Sequence, residues 1–399
     1  MLCCTSTLLE GVNLPAKNLV IYKPRAGRLL STLSTRNLVG RAGRLQKDYY
    51  GKIYCIEDDE WSQDKTPFND DLESISSSSE EILLNRADML IEFLQEYKGS
   101  SDDEVMKGVK SFATSLIIRR LLHSNSTFLS KFKERENRIS QTALDRVSEL
   151  LERIAAEVAS LEPSVILRNR SIDPRFQHEL YQLLKDRDSM PLPPYPIDPL
   201  FYEKLEAIFE LVSVSILRQR KGSRSYRHFG HLANLWINQA SYKEILEGQL
   251  RYREKHPSDD DRATLHEEDG HRKFVNNVIE NLDDDLEDNI KFDYTRALKC
   301  YADIVEQIFK EKNEERPFCK ELPLFLEAGA KDKNILLLLD VGLSRNTAIE
   351  IASRVSVFGT VLPQWKTLSE AIVWLKSHEA DLQKTLHPML YDEVSKILP

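Results

Sequence analysis

The sequence predicts a mainly α protein with a short α/β segment at its N-terminus, followed by a large helical accessory region. From Ile82 to the end, apolar residues recur at the three-and-four spacing that gives a helix one buried face. By contrast, the strand-length apolar runs Leu2 to Cys4, Leu19 to Tyr22 and Lys52 to Ile56 all lie within the first 60 residues.

Taken in order, those three runs read as strands of a parallel sheet, and Arg36 to Arg44 opens a helix between them. A sheet of so few strands exposes an apolar edge unless further strands are supplied. Residues 61 to 81 are polar, with Pro67 and the serines 76 to 79, and read as a linker. Ile82 to Tyr97, Val109 to Leu122 and Thr142 to Leu161 are amphipathic helices of a domain spanning 82 to 190, where a winged-helix unit is an expectation. Prolines 191, 193, 194, 196 and 199 break the helical pattern, so 191 to 200 reads as a connector between subdomains. Beyond it lies a helical domain, 201 to 399, with helices at Phe201 to Arg218, His231 to Arg253, Arg296 to Phe309 and Leu322 to Leu339. Residues 254 to 288 hold thirteen Asp/Glu against four Lys/Arg, the pattern of a solvated face or a loop.

Composition sets outer bounds. The chain has 399 residues, 41% hydrophobic and 30% charged, enough for two or three domains with cores of their own. No apolar run exceeds the length of Ile335 to Leu339, far short of the roughly 20 residues a membrane helix needs, so the cytoplasm is the expected location. Cys3, Cys4, Cys55, Cys300 and Cys319 form no CxxC pair and are odd in number, which favours structural thiols over a disulfide framework or a zinc site. His266 and His271 are five apart, unlike the histidine pair of a helical zinc motif, and no metal ligand set is expected there. The net charge of −9 hides an asymmetry: residues 1 to 56 carry nine Lys/Arg against Glu10 and Asp48, a net +7, leaving −16 for the remainder. The N-terminal surface therefore suits a polyanion.

Two short segments in that basic region carry chemistry. Asn-Leu-Val-Gly-Arg-Ala-Gly-Arg occupies 37 to 44, and Thr-Ser-Thr-Leu-Leu-Glu-Gly-Val-Asn-Leu-Pro occupies 5 to 15. Arginines flanking glycines, behind a hydroxyl-rich strand end, suit a site that grips phosphates. Together the segments resemble motifs VI and V of superfamily 2 helicases. The Gly-Val-Asn-Leu-Pro form is similar to the Ski-like branch and its DEAD/DEAH-type bacterial relatives, among them antiphage-defence helicases such as that of the Hachiman system.

The resemblance implies that residues 1 to 60 are the C-terminal part of a second RecA-like domain. It implies arginine-finger roles for Arg44 and its partner Arg41, with Gly40 and Gly43 allowing the backbone close to a nucleotide. Asn37 stands where the family commonly has glutamine, one methylene longer, so its hydrogen bond to the nucleotide is in doubt. Thr5, Ser6 and Thr7 would offer hydroxyls and amides to nucleic-acid phosphates, Gly11 a helix start facing a phosphate, and Asn13 a bond to a ribose or the neighbouring motif.

ATP and Mg²⁺ are the cofactors of such a motor, and DNA or RNA, the rest of the helicase and a defence-system protein its partners, with no membrane. This chain, however, contains no Gly-x-x-x-x-Gly-Lys-Ser/Thr loop and no Asp-Glu-x-His or Asp-Glu-Ala-Asp box. It therefore reads as the C-terminal portion of a motor, not expected to hold ATP or turn it over alone.

Three further features stay open. Between the motifs, residues 23 to 36 are basic with a turn signal at Ala26-Gly27, too short for a long strand-separating wedge. Arg218, Arg220, Lys221, Arg224 and Arg227 surround Tyr226, with His228 and Phe229 adjacent; Arg224 and Arg227 could hold phosphates while the aromatic stacks a base, or the cluster is a solvated helix end. Gly342 to Ala348 is similar to a helix-hairpin-helix turn, whose amides can face a phosphate, or is a helix start capped by Ser344. The alternative to a motor fragment is a non-catalytic helical module, 82 to 399, that binds a protein or nucleic acid.

Overall fold

A computed structural model of the chain describes residues 18–21, 25–26, 28–29, 52–56, 78–96, 104–123, 129–135, 138–187, 189–219, 225–267, 269–354 and 365–398. The chain divides into two compact units, Met1–Ser76 and Ser77–Pro399. Across the described residues the protein is mainly α.

In the first unit, β1 (Asn18–Ile21) pairs in parallel with β4 (Lys52–Cys55), in the register Asn18 with Lys52 through Ile21 with Cys55. Parallel neighbours cannot be joined by a hairpin, so the chain must cross over between them. The short strands β2 (Arg25–Ala26) and β3 (Arg28–Leu29) pair antiparallel within the basic interval between the motifs. The run Leu2 to Cys4 and the helix start at Arg36 to Arg44 lie outside the described residues.

In the second unit every regular element described is a helix, and the cores form three clusters. The first is built by α1 (Ser78–Asn85), α2 (Ala87–Gln95), α3 (Glu104–Leu122), α4 (Ser130–Arg135) and α5 (Gln141–Glu157). The single helix expected from Ile82 to Tyr97 is two, because Arg86 adopts φ −139°. α2 turns Leu90, Phe93 and Leu94 inward. Facing them, α5 presents Leu144, Val147, Leu151 and Ile154, and it starts where Ser140 Oγ accepts from the Ala143 amide. Arg120 of α3 pairs with Glu152 of α5 across the bundle. No strand that could serve as the wing of a winged-helix unit is found among the described residues here.

The second cluster gathers α6 (Pro163–Arg168), α7 (Pro174–Lys185), α8 (Phe201–Ser215), α9 (Ser225–Ile237), α13 (Thr295–Lys312) and α14 (Leu322–Ala328). Its buried residues come from both sides of the proline-rich stretch. That stretch is held down by polar bonds: the Cys319 amide donates to Pro193 O at 2.9 Å, Tyr301 Oη to Pro191 O at 2.6 Å and Tyr195 Oη to Phe318 O at 3.1 Å. Prolines offer carbonyls without amides, so such acceptor-only contacts are the ones available to them. Cys300 and Cys319 are buried free thiols, and burial pushes Cys319 up to about 11.

Between α9 and α13 the acidic stretch is helical. It forms α10's end (α10 is Tyr242–Lys255), α11 (Asp259–Leu265), α12 (Gly270–Asp284) and a ten-residue π-helix, Asp285–Tyr294. The described acids of 254 to 288 are exposed except Asp285, which is half-buried, and Asp261, which is buried against Arg253 and accepts from the Ser258 amide at 3.1 Å. The π-register runs directly into α13, where the Thr295 amide bonds Ile290 O five residues back and its hydroxyl reinforces that carbonyl at 3.0 Å. Tyr294, at the end of this segment, is fully buried; its ring stacks on Phe209 at 4.2 Å and its hydroxyl meets Ser213 Oγ at 2.7 Å. Burial pushes this phenol up to about 12, so it stays neutral.

The third cluster comprises α15 (Lys333–Asp340), α16 (Arg345–Arg354), α17 (Leu368–Ser377), α18 (Glu379–Thr385) and α19 (Pro388–Ile397). The helix expected from Leu322 to Leu339 is interrupted at Gly329, which caps α14 at φ +66°. A Cβ at Gly329 would fall inside van der Waals distance of the Trp236 indole and the Arg345 guanidinium, both packed. Gly329→Ala is therefore expected to cost about 2 kcal/mol, from strain at positive φ plus overpacking. Urea unfolding of the variant measures it, and a loss below about 0.5 kcal/mol would mean the turn relaxes freely.

Candidate nucleic-acid interface

Of the candidate residues named from the sequence, Thr5, Ser6, Thr7, Gly11, Asn13, Asn37, Gly40, Arg41, Gly43, Arg44 and Arg224 lie outside the described residues. Arg227 is described. It sits in the first turn of α9, with its side chain 55% exposed, and its Nε lies 3.5 Å from Glu206 Oε1 on α8. The Tyr226 hydroxyl, then the carboxylates of α8, hold the guanidinium above its ordinary pKa, so it is a permanent cation. Its Cζ is 5.8 Å from the Tyr226 ring. Both side chains are partly or fully accessible, the arrangement a phosphate contact beside a stacking ring would use. His228 and Phe229 serve the fold instead. His228 Nε2 lies 2.8 Å from Asp285 of the π-helix, and Phe229 is buried beside Tyr294 at 5.2 Å.

The described ends of the basic cluster are fastened to the core. Gln219 donates from Nε2 to the Tyr294 hydroxyl at 3.4 Å and accepts from Ser225 Oγ at 2.7 Å. The Gln219 amide bonds Ser213 O at 2.8 Å, next to Arg218 in the left-handed conformation at φ +55°. Residues 219 and 225 are thus tied to one buried tyrosine.

Arg218 also borders a cavity of about 450 Å³ between α2, α5 and α7. Its guanidinium lies over the Phe176 ring at 4.7 Å and bonds Glu179 at 2.5 Å. Arg175, on the same rim, is committed to structure: it forks onto Asp173 at 2.8 and 3.1 Å and donates to Phe93 O and Leu94 O at 3.1 and 3.2 Å. Those carbonyls close the C-terminal end of α2, so Arg175 joins the first core to the second. Across the opening, α5 presents Arg153 and Glu157, both exposed and lacking any hydrogen bond or ion pair among the described residues. Burial lowers the pKa of His178, opposed by Glu157, and Gln182 Nε2 sits 2.9 Å from His178 Nε2. In the neutral ring that nitrogen accepts from the Gln182 amide, leaving Nδ1 as the N–H. Nothing in the sequence signals this cavity, because its residues come from three helices and from Arg218 beyond α8, more than 120 positions after Leu94.

At Gly342 to Ala348, Ser344 acts as a cap, its Oγ accepting from the Thr347 amide at 3.3 Å. The Ser344 amide itself donates to Glu393 Oε2 of α19 at 3.1 Å, and Thr347 Oγ1 donates to the same oxygen at 2.7 Å. A carboxylate of the chain thus occupies the amide that a phosphate would need. Burial works to raise Glu393, but the bonds from Thr347 and Ser344 hold it below the ordinary glutamate value. A depressed carboxylate pKa contributes stability above the unfolded value, lost as pH falls through the folded one. Acid unfolding below the ordinary glutamate pKa should therefore be shallower in Glu393→Gln than in the parent, and coincident profiles would show that the bond contributes nothing.

Among the described residues, no group of three or more His, Cys, Asp or Glu could hold a metal ion, and no helix is long and apolar enough to cross a membrane.

The chain is 50% identical over 58 residues to Anti-bacteriophage protein B of Escherichia coli (strain K12), covering 14% of this chain and 8% of that protein. It is 47% identical over 57 residues to DNA polymerase theta of Drosophila melanogaster, covering 14% of this chain and 3% of that protein. It is also 53% identical over 45 residues to Helicase POLQ-like of the same fly, 11% of this chain and 4% of that protein. A short stretch of the chain is helicase-related. The matches span less than a tenth of the length of these curated relatives. No family model matches the chain, and no solved structure matches it.

Proposed function

We propose that this chain supplies the arginine-finger side, and part of the strand path, of an ATP-driven nucleic-acid helicase acting in antiphage defence. The observation that carries the reading is the 50% identity over 58 residues to an anti-bacteriophage protein. That length is close to the span holding both motifs, 5 to 15 and 37 to 44, and the β1–β4 pair. A parallel pair with the second motif between its strands in sequence suits a partial RecA-like domain. The guanidinium groups of Arg41 and Arg44 stabilise charge on a transferred γ-phosphoryl, the task for which a planar, always-charged donor fork is suited. The phosphate loop and magnesium-binding acids come from outside residues 1 to 399, together with ATP and Mg²⁺, and the helical unit guides the strand past Arg227 and the basic cluster. DNA and RNA both satisfy this chemistry.

The test is the coding DNA upstream of Met1, read in all forward frames, followed by ATPase assay of the joined polypeptide with single-stranded nucleic acid. A phosphate loop and acidic box there, with strand-stimulated turnover in the joined protein and background turnover in this chain alone, support the reading. Absence of both motifs sinks it.

A second reading is favoured by the three hydrophobic clusters that Ser77–Pro399 holds within itself. On that reading, the helical unit is a binding module independent of ATP, and deleting residues 1 to 60 leaves partner or nucleic-acid binding intact.

A further inference from the structure

The third cluster, α15 to α19, is tied to the second by few contacts. Its core residues run from Ala330 to Val394 and those of the second cluster from Leu161 to Leu326, so the two cores are separate. From α15 one half-buried side chain, Leu336, packs against the second core. The chain passes between the clusters through residues 329 to 332, which are non-helical and begin with Gly329 at φ +66°. Among the described residues, the side-chain hydrogen bonds across this boundary are made by two cations. Lys331 Nζ reaches Asn238 Oδ1 at 2.7 Å, both side chains being exposed. Arg345 donates to Trp236 O, Ala240 O and Gly329 O and stacks on the Trp236 indole. Units with cores of their own and a small polar boundary move relative to one another unless something holds them.

Arg345 is suited to holding them reversibly. In the closed arrangement its guanidinium exchanges water for three carbonyls and an indole face, with no carboxylate beside it among the described residues. Burial pushes its pKa down to about 10, the mark of a cation less well solvated there than in water. Opening returns that charge to water, so hydration opposes the bonds that close the boundary. We propose that α15 to α19 swing from the second core as one body, turning on residues 329 to 332, with the Arg345–Trp236 contact as the latch. Gly329 serves both parts: a Cβ there would strike the indole and the guanidinium, and its backbone lies at the turning point. Opening uncovers the Trp236 indole, buried in the closed form, with Lys291 of the π-helix 5.5 Å from its ring. The device depends neither on ATP nor on the helicase reading.

Pulsed electron paramagnetic resonance on the whole chain measures the swing, with spin labels on Glu203→Cys of α8 and Lys376→Cys of α17, both exposed positions. Cys3→Ser, Cys4→Ser and Cys55→Ser keep the label off the first unit. Cys300 and Cys319 are buried, and burial pushes both thiols up, so they stay unlabelled. In Arg345→Lys, which keeps the charge but loses the planar fork, a longer-distance component is expected to appear or to grow about tenfold relative to the closed one. Arg345→Ala should enlarge it further. Amide exchange within α15 to α19 should stay as slow in Arg345→Lys as in the parent, because a body that swings keeps its own helices. Lys384→Ala, which removes an exposed cation of α18, should leave the distances unchanged. Distances that respond to neither Arg345 variant overturn the latch, and so does an equal shift in Lys384→Ala. A longer component accompanied by fast exchange throughout α15 to α19 in Arg345→Lys shows melting of these helices and overturns opening as one body.

Discussion

Replacing Arg44 by alanine in the joined, ATP-hydrolysing polypeptide is expected to lower turnover by roughly 10³-fold or more, with little change in nucleic-acid affinity. The size follows from the reaction. Phosphoryl transfer asks little covalent chemistry of the protein, so most of the acceleration is positioning and charge stabilisation in a water-poor cleft. A guanidinium placed there acts only on the transition state, which is why kcat falls and KM does not. Arg44→Lys should recover little, because an ammonium keeps the charge but loses the planar fork. Arg41→Ala should fall in the same direction. A variant retaining turnover within a few-fold of the parent would remove Arg44 from the catalytic machinery and with it the motif VI assignment. Binding of single strands without ATP, measured alongside, separates this result from a folding defect.

Arg345→Ala is expected to cost about 3 kcal/mol and to split the unfolding of Ser77–Pro399 into two transitions. Among the described residues Arg345 has no carboxylate partner. Its Nε donates to Gly329 O at 2.8 Å, and its NH2 donates to Trp236 O at 2.9 Å and to Ala240 O at 3.0 Å. Its Cζ lies 3.7 Å from the Trp236 ring centroid. Trp236 is in turn fixed by an indole bond to Leu326 O at 3.0 Å. Burial lowers the guanidinium to about 10, so it is still charged at neutral pH, and three carbonyls spread that charge in place of an anion. Two of these carbonyls close the end of α9 and one closes α14; without the cation they are left without this donor. Because Trp236 belongs to the second core and Arg345 starts a helix of the third, the contact couples the two. Arg345→Lys should lose less, keeping charge and part of the stacking. A single transition with the parent's urea midpoint in Arg345→Ala would show that the coupling lies elsewhere.

How far the sequence could be read varies with how local the cause is. The single helix expected from His231 to Arg253 is two, α9 and α10, because the polar stretch Asn238-Gln-Ala-Ser241 leaves the helix between them. The structure places Gln239 at φ +67° and closes the box between Ser241 and Glu244. Helices were legible where the apolar stripe is regular, as in α5, and their interruptions at Arg86 and Gly329 were not, because a break of one residue barely disturbs the stripe. Calling 254 to 288 a solvated face or a loop left its helical state open. Acids do not forbid a helix, and Phe274, Val278 and Leu282 supply the inward stripe. The π-register was invisible, since it depends on five-back bonds that no residue pattern announces. Arg218 to Arg227 looked like one cluster, yet its members diverge: Arg218 faces the cavity, Arg227 faces α8, and His228 and Phe229 belong to the π-helix and the core.

By itself the sequence determined the mainly helical class and the strand positions of β1 and β4, because each depends on spacing along a few neighbouring residues. Only the tertiary structure decided which charges are spent and which are free. Whether an arginine binds a ligand or holds a helix end depends on what lies within about 3 Å of it, and for Arg175 and Arg345 the carbonyls they hold come from helices far away in the chain.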